Sequence, residues 1–195
     1  KNEQNDPSGL TVWGHFQNDQ GLPCAILIKG WRKHLEIHGV PTEKKPNESI
    51  RAWLKRSEPN WGLVEWVAEA CRFRNSDGAI IGTVDRLLIE AKASGLSAAQ
   101  EMQRLYGDEG WLTELVDPAG DKVARAHSVV PMFANAQVYA PVRAWADVVV
   151  NEMAKFPHDR HDDLVDSAEM ALRHMRVLGL MQQRSEIAAD EERKS

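Results

Sequence analysis

Three aspartates stand close together in FPHDRHDDLVDSAEMAL, the segment at residues 156–172. Asp162, Asp163 and Asp166 would crowd negative charge onto one helix end, and like charges at neighbouring helical positions repel. A hard divalent cation such as Mg²⁺ or Mn²⁺ reverses that repulsion, because it prefers oxygen ligands. A simpler explanation needs no metal, since aspartates in a first helical turn cap free N–H groups and offset the helix dipole. The spacing alone favours this simpler explanation, and the adjoining His161 is typical of a surface or capping residue.

A further acid, Glu90, makes a metal site a stronger explanation than capping alone. Glu90 stands in LLIEAKASG at residues 87–95, where a short apolar run predicts a buried strand that ends in charged residues and glycine. In α/β proteins, ligands gather beyond the ends of buried strands. A glutamate at such an end is less expected to be a simple solvated residue, so Glu90 and the three aspartates together suggest one metal site.

The elements that must position these acids alternate between strands and helices, which is typical of an α/β fold. Apolar and β-branched runs predict strands at residues 10–16, 23–32, 87–89, 111–117 and 137–141. Helical spacing predicts helices over 62–73, 97–107, 121–135 and 142–156, a short helix within the connection 39–62, and a last helix that begins in the aspartate segment.

Two details of these helices can be predicted from residue type. Ser94 or Ser97 is the expected cap of the helix over 97–107, and Gly107 is its expected end. In the last helix, the 100° rotation per residue predicts one buried apolar stripe. Its members are Leu164, Ala168, Ala171, Met175 and Leu178.

Composition limits the class of protein. A chain of 195 residues with 43% hydrophobic content can bury one core, so we expect one domain over 1–184 and a polar, flexible tail over 185–195. The net charge of −5 gives no global basic field for an anionic partner, which leaves local patches or metal ions. The two cysteines have no disulfide or zinc spacing, and no apolar stretch has the length of a membrane span.

The order of four segments resembles the C-terminal nuclease domain of tailed-phage terminase large subunits. These segments are LLIEAKASG, DKVARAHSVVPMF at 121–133, VYAP at 138–141 and FPHDRHDDLVDS at 156–167. The resemblance implies a ribonuclease H-like mixed sheet flanked by helices, with acids from separate elements converging at one edge. It also implies a first acid on an opening strand just before a segment like NDPSG. Lys1 stands just past that point, so either the strand lies upstream of this chain or the chain lacks that ligand. In both cases the isolated chain is expected to be weakly active or inactive.

The resemblance also assigns site residues. Glu90, Asp163 and Asp166 match the catalytic acids, Asp162 adjoins them as a further metal ligand, and which aspartate binds metal directly stays open. Asp6 resembles an accessory metal acid, although DPSG is equally an ordinary turn. Two Mg²⁺ or Mn²⁺ ions roughly 3.5–4 Å apart would then hydrolyse a phosphodiester by in-line attack.

Three cations are candidates for contacts with DNA phosphates, with ordinary alternatives beside them. Lys92 directly follows the strand of Glu90, and its alternative is a solvent-facing lysine. Lys122 and Arg125 stand three residues apart on one helix, and their alternative is a helix-surface ion pair.

The resemblance implies a DNA endonuclease that cuts concatemeric phage DNA during packaging, with little sequence specificity, in the cytoplasm of the bacterial host. The implied partners are double-stranded DNA, an N-terminal ATPase domain of the same polypeptide, the portal and the small terminase subunit, with no membrane. We expect no ATP at this chain, because it contains no GxxxxGK[ST] loop. The alternatives are another ribonuclease H-like enzyme, such as a resolvase or transposase core, and an inactive assembly module of the packaging motor.

Overall fold

The computed structural model describes residues 7–40, 42–182, 186, 187, 189, 192 and 193. Across them the chain is a mixed α/β protein whose sheets are flanked by helices. The strands are β1 (Ser8–Gln17), β2 (Pro23–Lys33), β3 (Arg72–Arg74), β4 (Ile80–Thr83), β5 (Arg86–Glu90), β6 (Leu112–Val116) and β7 (Val138–Tyr139). The α-helices are α1 (Ile50–Ser57), α2 (Leu63–Cys71), α3 (Ala93–Tyr106), α4 (Lys122–Ala134), α5 (Ala144–Lys155) and α6 (Asp163–Val177), and a 3₁₀ helix at Glu58–Asn60 follows α1.

The first of two compact units consists of His34–Ala119 together with Pro7 and Ser8. It contains the parallel pair β5–β6, in which Glu90 lies opposite Val116, and the antiparallel pair β3–β4. Helix α3 packs against this parallel pair and against α2. The buried apolar cluster of the unit is Val64, Ala68, Cys71, Leu87, Met102 and Trp111.

The second unit consists of Gly9–Lys33 and the described residues from Gly120 onward. Its sheet has the order β1–β2–β7, with β7 parallel to β2 and Ala25 opposite Val138. Helix α6 packs against α4, α5 and β2. Two buried clusters join these elements: Ala25, Val129, Met132, Leu172 and Met181 form one, and Leu27, Ala146, Val149 and Leu164 form the other.

The prediction of a single nuclease domain over 1–184 stays a prediction beside this division into units. Most of the expected tail at 185–195 lies outside the described residues. None of the helices in the described part of the chain has the length and apolar character needed to cross a bilayer.

The first unit differs from the sequence prediction at two helix ends. The helix predicted over 62–73 ends at Cys71, because the next three residues form β3 and pair with β4. The predicted caps Ser94 and Ser97 are wrong, since α3 begins at Ala93 with Lys92 at the cap position. Gly107 does follow the last residue of α3, as predicted.

The buried face of α6 is also broader than the predicted stripe. Leu164 and Ala168 are buried as predicted, but Leu178 is 42% exposed because the helix ends at Val177. Val165, Glu169 and Leu172 fill the rest of the buried face. Glu169 can lie there because it is paired with a buried arginine of α4.

Candidate functional site

The acidic start of α6 is held by a lysine from another helix. Asp162 occupies the cap position but makes no capping hydrogen bond with its side chain, so the simple capping explanation does not account for it. Instead, Nζ of Lys122 lies 2.6 Å from Oδ2 of Asp162 and 2.6 Å from Oδ2 of Asp166. The ammonium therefore lies between these two carboxylates and neutralises their charge, as a metal ion would. Burial disfavours this ammonium, but its hydrogen bonds to both carboxylates outweigh burial and raise the pKa of Lys122.

Arg125, one turn further along α4, is directed at the same helix. Its side chain is 9% exposed, with Nε 2.6 Å from Oε1 of Glu169 and Nη2 3.4 Å from Oδ1 of Asp166. Lys122 and Arg125 thus match the ion-pair alternative, and α4 is tied to α6 through charge. Their contact with DNA phosphates stays a prediction.

Asp163 is in a different situation from its two neighbours. Its side chain is half-buried at the first residue of α6, and no residue in the described ranges makes an ion pair with its carboxylate. Burial raises the pKa of the Asp163 carboxyl, a backbone hydrogen bond opposes that rise, and the charge of Asp162 adds to it. Arg32 and His161 act in the lowering direction at longer range. Of the three aspartates, Asp163 is therefore the one whose charge has no direct counter-ion among the described residues.

Strand β1 approaches the first turn of α6 closely. A Cβ added at Gly9 would lie 2.5 Å from the carbonyl oxygen of Asp163, a distance that only glycine permits. Two residues further along β1, the N–H of Thr11 donates to Oγ of Ser167 at 2.9 Å. The two hydroxyls of Thr11 and Ser167 are also 2.8 Å apart. These contacts fix the position of the aspartate-bearing turn against the sheet.

A buried glutamate on α5 reaches the same turn. Glu152 is 4% exposed, and its Oε1 accepts a 2.8 Å hydrogen bond from the N–H of Leu164. Its Oε2 lies 2.6 Å from Nη1 of Arg32 on β2. Neither residue was among the predicted site residues. The sequence did contain a signal that Glu152 is buried, because Glu152 continues the i+3 series of the buried residues Ala146 and Val149.

Glu90 is the last residue of β5, in the first unit, as the sequence predicts. Its Oε2 lies 2.9 Å from Nζ of Lys92, whose side chain is 62% exposed. The first turn of α3 comes so near the end of β5 that a Cβ at Gly95 would overlap the carbonyl oxygen of Glu90. This contact explains the glycine of KASG: it lets the helix start directly behind the acid.

The structure thus brings Asp162 and Asp166 together around Lys122, with Asp163 beside them. Glu90 belongs to the other unit, so a metal ion shared between Glu90 and the aspartates stays a prediction. Asp6 lies outside the described residues. Among the residues that the structure does describe, no group of three or more His, Cys, Asp and Glu side chains is arranged to hold a metal ion.

A family model for the terminase RNaseH-like domain matches residues 73–175, which is more than half of the 195-residue chain. The chain belongs to this family. The fold expected from the resemblance is confirmed by that membership and by the mixed α/β architecture. Comparison of this terminase domain with curated proteins and with solved structures gives no match.

Membership implies that the terminase domain is a nuclease of DNA packaging, a class that typically uses divalent metal ions. The matched segment contains both parts of the candidate site. It begins within β3, includes Glu90 and Lys92, continues through Lys122 and Arg125, and ends near the close of α6. Asp6 lies before it.

Proposed function

We propose that this terminase domain is a metal-dependent DNA endonuclease that cuts concatemeric phage DNA during packaging, with little sequence specificity. The observation that carries the proposal is the half-buried carboxylate of Asp163, which no ion pair in the described residues balances, at the start of a helix within a terminase RNaseH-like domain. A carboxylate kept desolvated without a counter-ion lowers stability, and such groups are concentrated at functional sites.

The residues fit a hard divalent cation in part. Glu90 and Asp163 offer oxygen ligands, since the described residues place no ammonium on Asp163 and the ammonium on Glu90 belongs to the exposed Lys92. We assign direct metal contact to Glu90 and Asp163. Asp162 and Asp166 are assigned to the edge of the site, where they hold Lys122 and can become ligands only if that lysine moves away.

Divalent metal ions held by Glu90 and Asp163 would supply an activated water and stabilise charge on the leaving oxygen. The chain's own residues orient the site. The close contact at Gly9 and the bonds from Thr11 hold the Asp163 turn, while Gly95 lets α3 close behind Glu90. Lys92 is proposed to contact a DNA phosphate, because its ammonium is exposed beside Glu90.

The proposed partners follow from the packaging role. They are double-stranded DNA, an ATPase domain on the N-terminal side of the same polypeptide, the portal and the small terminase subunit. The proposed location is the cytoplasm of the bacterial host.

Nicking of supercoiled plasmid in Mn²⁺ tests the proposal, with the chain and with a version extended upstream to include the expected opening strand. We expect Glu90→Gln and Asp163→Asn to abolish cleavage, and Asp166→Asn to keep a measurable part of it. Full activity of Asp163→Asn would contradict the assignment. Absence of Mn²⁺-dependent cleavage in both versions would favour an inactive assembly module, and preference for branched over linear duplex would favour a resolvase.

A further inference from the structure

Helix α6 begins without the usual capping side chain. The N–H groups in a helix's first turn have no acceptor within the helix, and a side chain at the cap position normally supplies one. Asp162 holds that position, but its carboxylate lies on Lys122. The first described backbone bond within α6 runs from the N–H of Asp166 to the carbonyl of Asp162. The N–H of Leu164, the second residue of α6, therefore needs an acceptor from elsewhere.

Glu152 supplies that acceptor from the last turn of α5. Its Oε1 accepts from Leu164 N at 2.8 Å, so a full negative charge lies at the positive end of the α6 dipole. Its Oε2 accepts from Nη1 of Arg32 at 2.6 Å, which neutralises a carboxylate that is only 4% exposed. Both oxygens are thus occupied, and the bond falls on the amide directly after Asp163.

The Asp163 residue is consequently held from two sides. Strand β1 approaches its carbonyl group at Gly9, and Glu152 holds the next amide. Arg32, kept in place by Glu152, also contributes a positive charge that acts on the Asp163 carboxyl. A rotation of the first turn would break the bond to Glu152.

We propose that Glu152, braced by Arg32, is a positioning residue that fixes the first turn of α6 so that Asp163 is presented to a divalent metal ion. This inference rests on the proposed function. Residues that orient metal ligands typically change metal affinity or activity about 10–100-fold when they are substituted. Glu152 would act in this way without touching the metal.

Hydrogen exchange of the Leu164 amide tests the positioning without any metal. In Glu152→Ala the amide loses its described acceptor, so we expect its exchange to become at least about tenfold faster, while Glu152→Gln keeps an acceptor oxygen and most of the protection. Glu169→Ala is the matched control. Glu169 is equally buried and equally paired with an arginine, but it lies about one and a half turns beyond Leu164 along α6. Leu164 exchange in this control should stay near the wild-type rate.

Mn²⁺ binding, followed by the electron paramagnetic resonance signal of free Mn²⁺, tests the functional half. We expect the dissociation constant to rise about 10–100-fold in Glu152→Ala and less than about threefold in Glu152→Gln and Glu169→Ala. Equal rises in Glu152→Ala and Glu169→Ala would show a general loss of stability and overturn the proposal, as would unchanged Leu164 exchange in Glu152→Ala.

Two further outcomes also test the proposal. If Glu152→Ala does not fold, Glu152→Asp replaces it. Its side chain is shorter by one methylene and cannot reach Leu164 from the same backbone position. Exchange of the Leu164 amide at the wild-type rate in Glu152→Asp would then overturn the proposal. If the wild-type chain binds no Mn²⁺, the proposed function itself fails and so does the metal-presenting role, while the exchange data still show whether Glu152 holds the turn.

Discussion

Arg125→Met separates a structural role of Arg125 from the DNA contact predicted for it. Methionine keeps much of the apolar stem of arginine but removes the guanidinium. The loss leaves Glu169, whose side chain is 5% exposed, without the Nε donor 2.6 Å away. It also removes the bond to the carbonyl of Gly120 at 3.1 Å and the longer contact with Asp166.

The expected cost follows from burial. Removing one partner of a buried ion pair typically costs about 3–5 kcal/mol, because the other charge stays buried and uncompensated. Arg173 lies 3.4 Å from the second oxygen of Glu169 and is 42% exposed, so it can replace part of the lost interaction. We therefore expect Arg125→Met to lower the free energy of unfolding by about 2–4 kcal/mol. For a chain of this size, that corresponds to a fall in Tm of roughly 4–16 °C.

Urea and thermal unfolding of four proteins measure this effect: wild type, Arg125→Met, Glu169→Gln and the double variant. We expect the double variant to be destabilised by about 1–3 kcal/mol less than the sum of the single variants. Lys122→Met is the control, because Lys122 is 31% exposed and its removal should cost only about 1 kcal/mol. Wild-type stability of Arg125→Met together with a collapse of its DNA affinity would refute the structural role of Arg125.

Three further perturbations test the local geometry. Gly9→Ala places a methyl group against the backbone of Asp163 and should cost about 1–3 kcal/mol in unfolding free energy and most of the Mn²⁺ affinity. In the control Gly14→Ala the methyl group meets only the end of a side chain. Equal effects of the two variants would contradict a special role of the contact at Gly9. Gly95→Ala would overlap the last carbonyl of β5 and should abolish cleavage. Gly82→Ala meets only a ring carbon of Phe73 at 4.0 Å and should keep cleavage; cleavage by both variants would count against the contact at Gly95. Burial raises the pKa of Asp163 above its ordinary 3.8, so a stabilising contribution present below pH 3.8 is lost as pH rises through the raised pKa. Asp163→Asn should not show this loss of stability in urea unfolding. The Mn²⁺ affinity of the wild type should fall on acidification through the same pH range.

Much of the fold could be predicted because its signals are local. The apolar run before Glu90 predicts β5, and the helical spacing from Leu164 onward predicts α6. Strands β3 and β4 were missed, because RFR and IIGT are too short and too irregular to show a period-2 pattern. Pairing of β3 with β4 across the turn, together with ion pairs of Arg72 and Arg74, decides that segment instead.

The residue types of the candidate site could be predicted from the sequence, but the ion pairs between them could not. The acids stand out in the sequence as a like-charge cluster, yet nothing local shows that Lys122, 44 residues before Asp166, neutralises two of them. The same holds for Arg32 and Glu152, which are 120 residues apart. Such pairs form only when the strands and helices pack together, so the distinction between Asp163 and its neighbours appears only in three dimensions.

We propose that Glu90 and Asp163 hold the same pair of ions. Fe²⁺ can replace Mg²⁺ or Mn²⁺ at oxygen sites, and with ascorbate and peroxide it generates radicals that cut the backbone next to the bound ion. We expect Fe²⁺ to cut the wild-type chain both near Glu90 and near Asp163, with excess Mn²⁺ suppressing both cuts together. Cutting near Asp163 alone, or at neither place, would contradict the account.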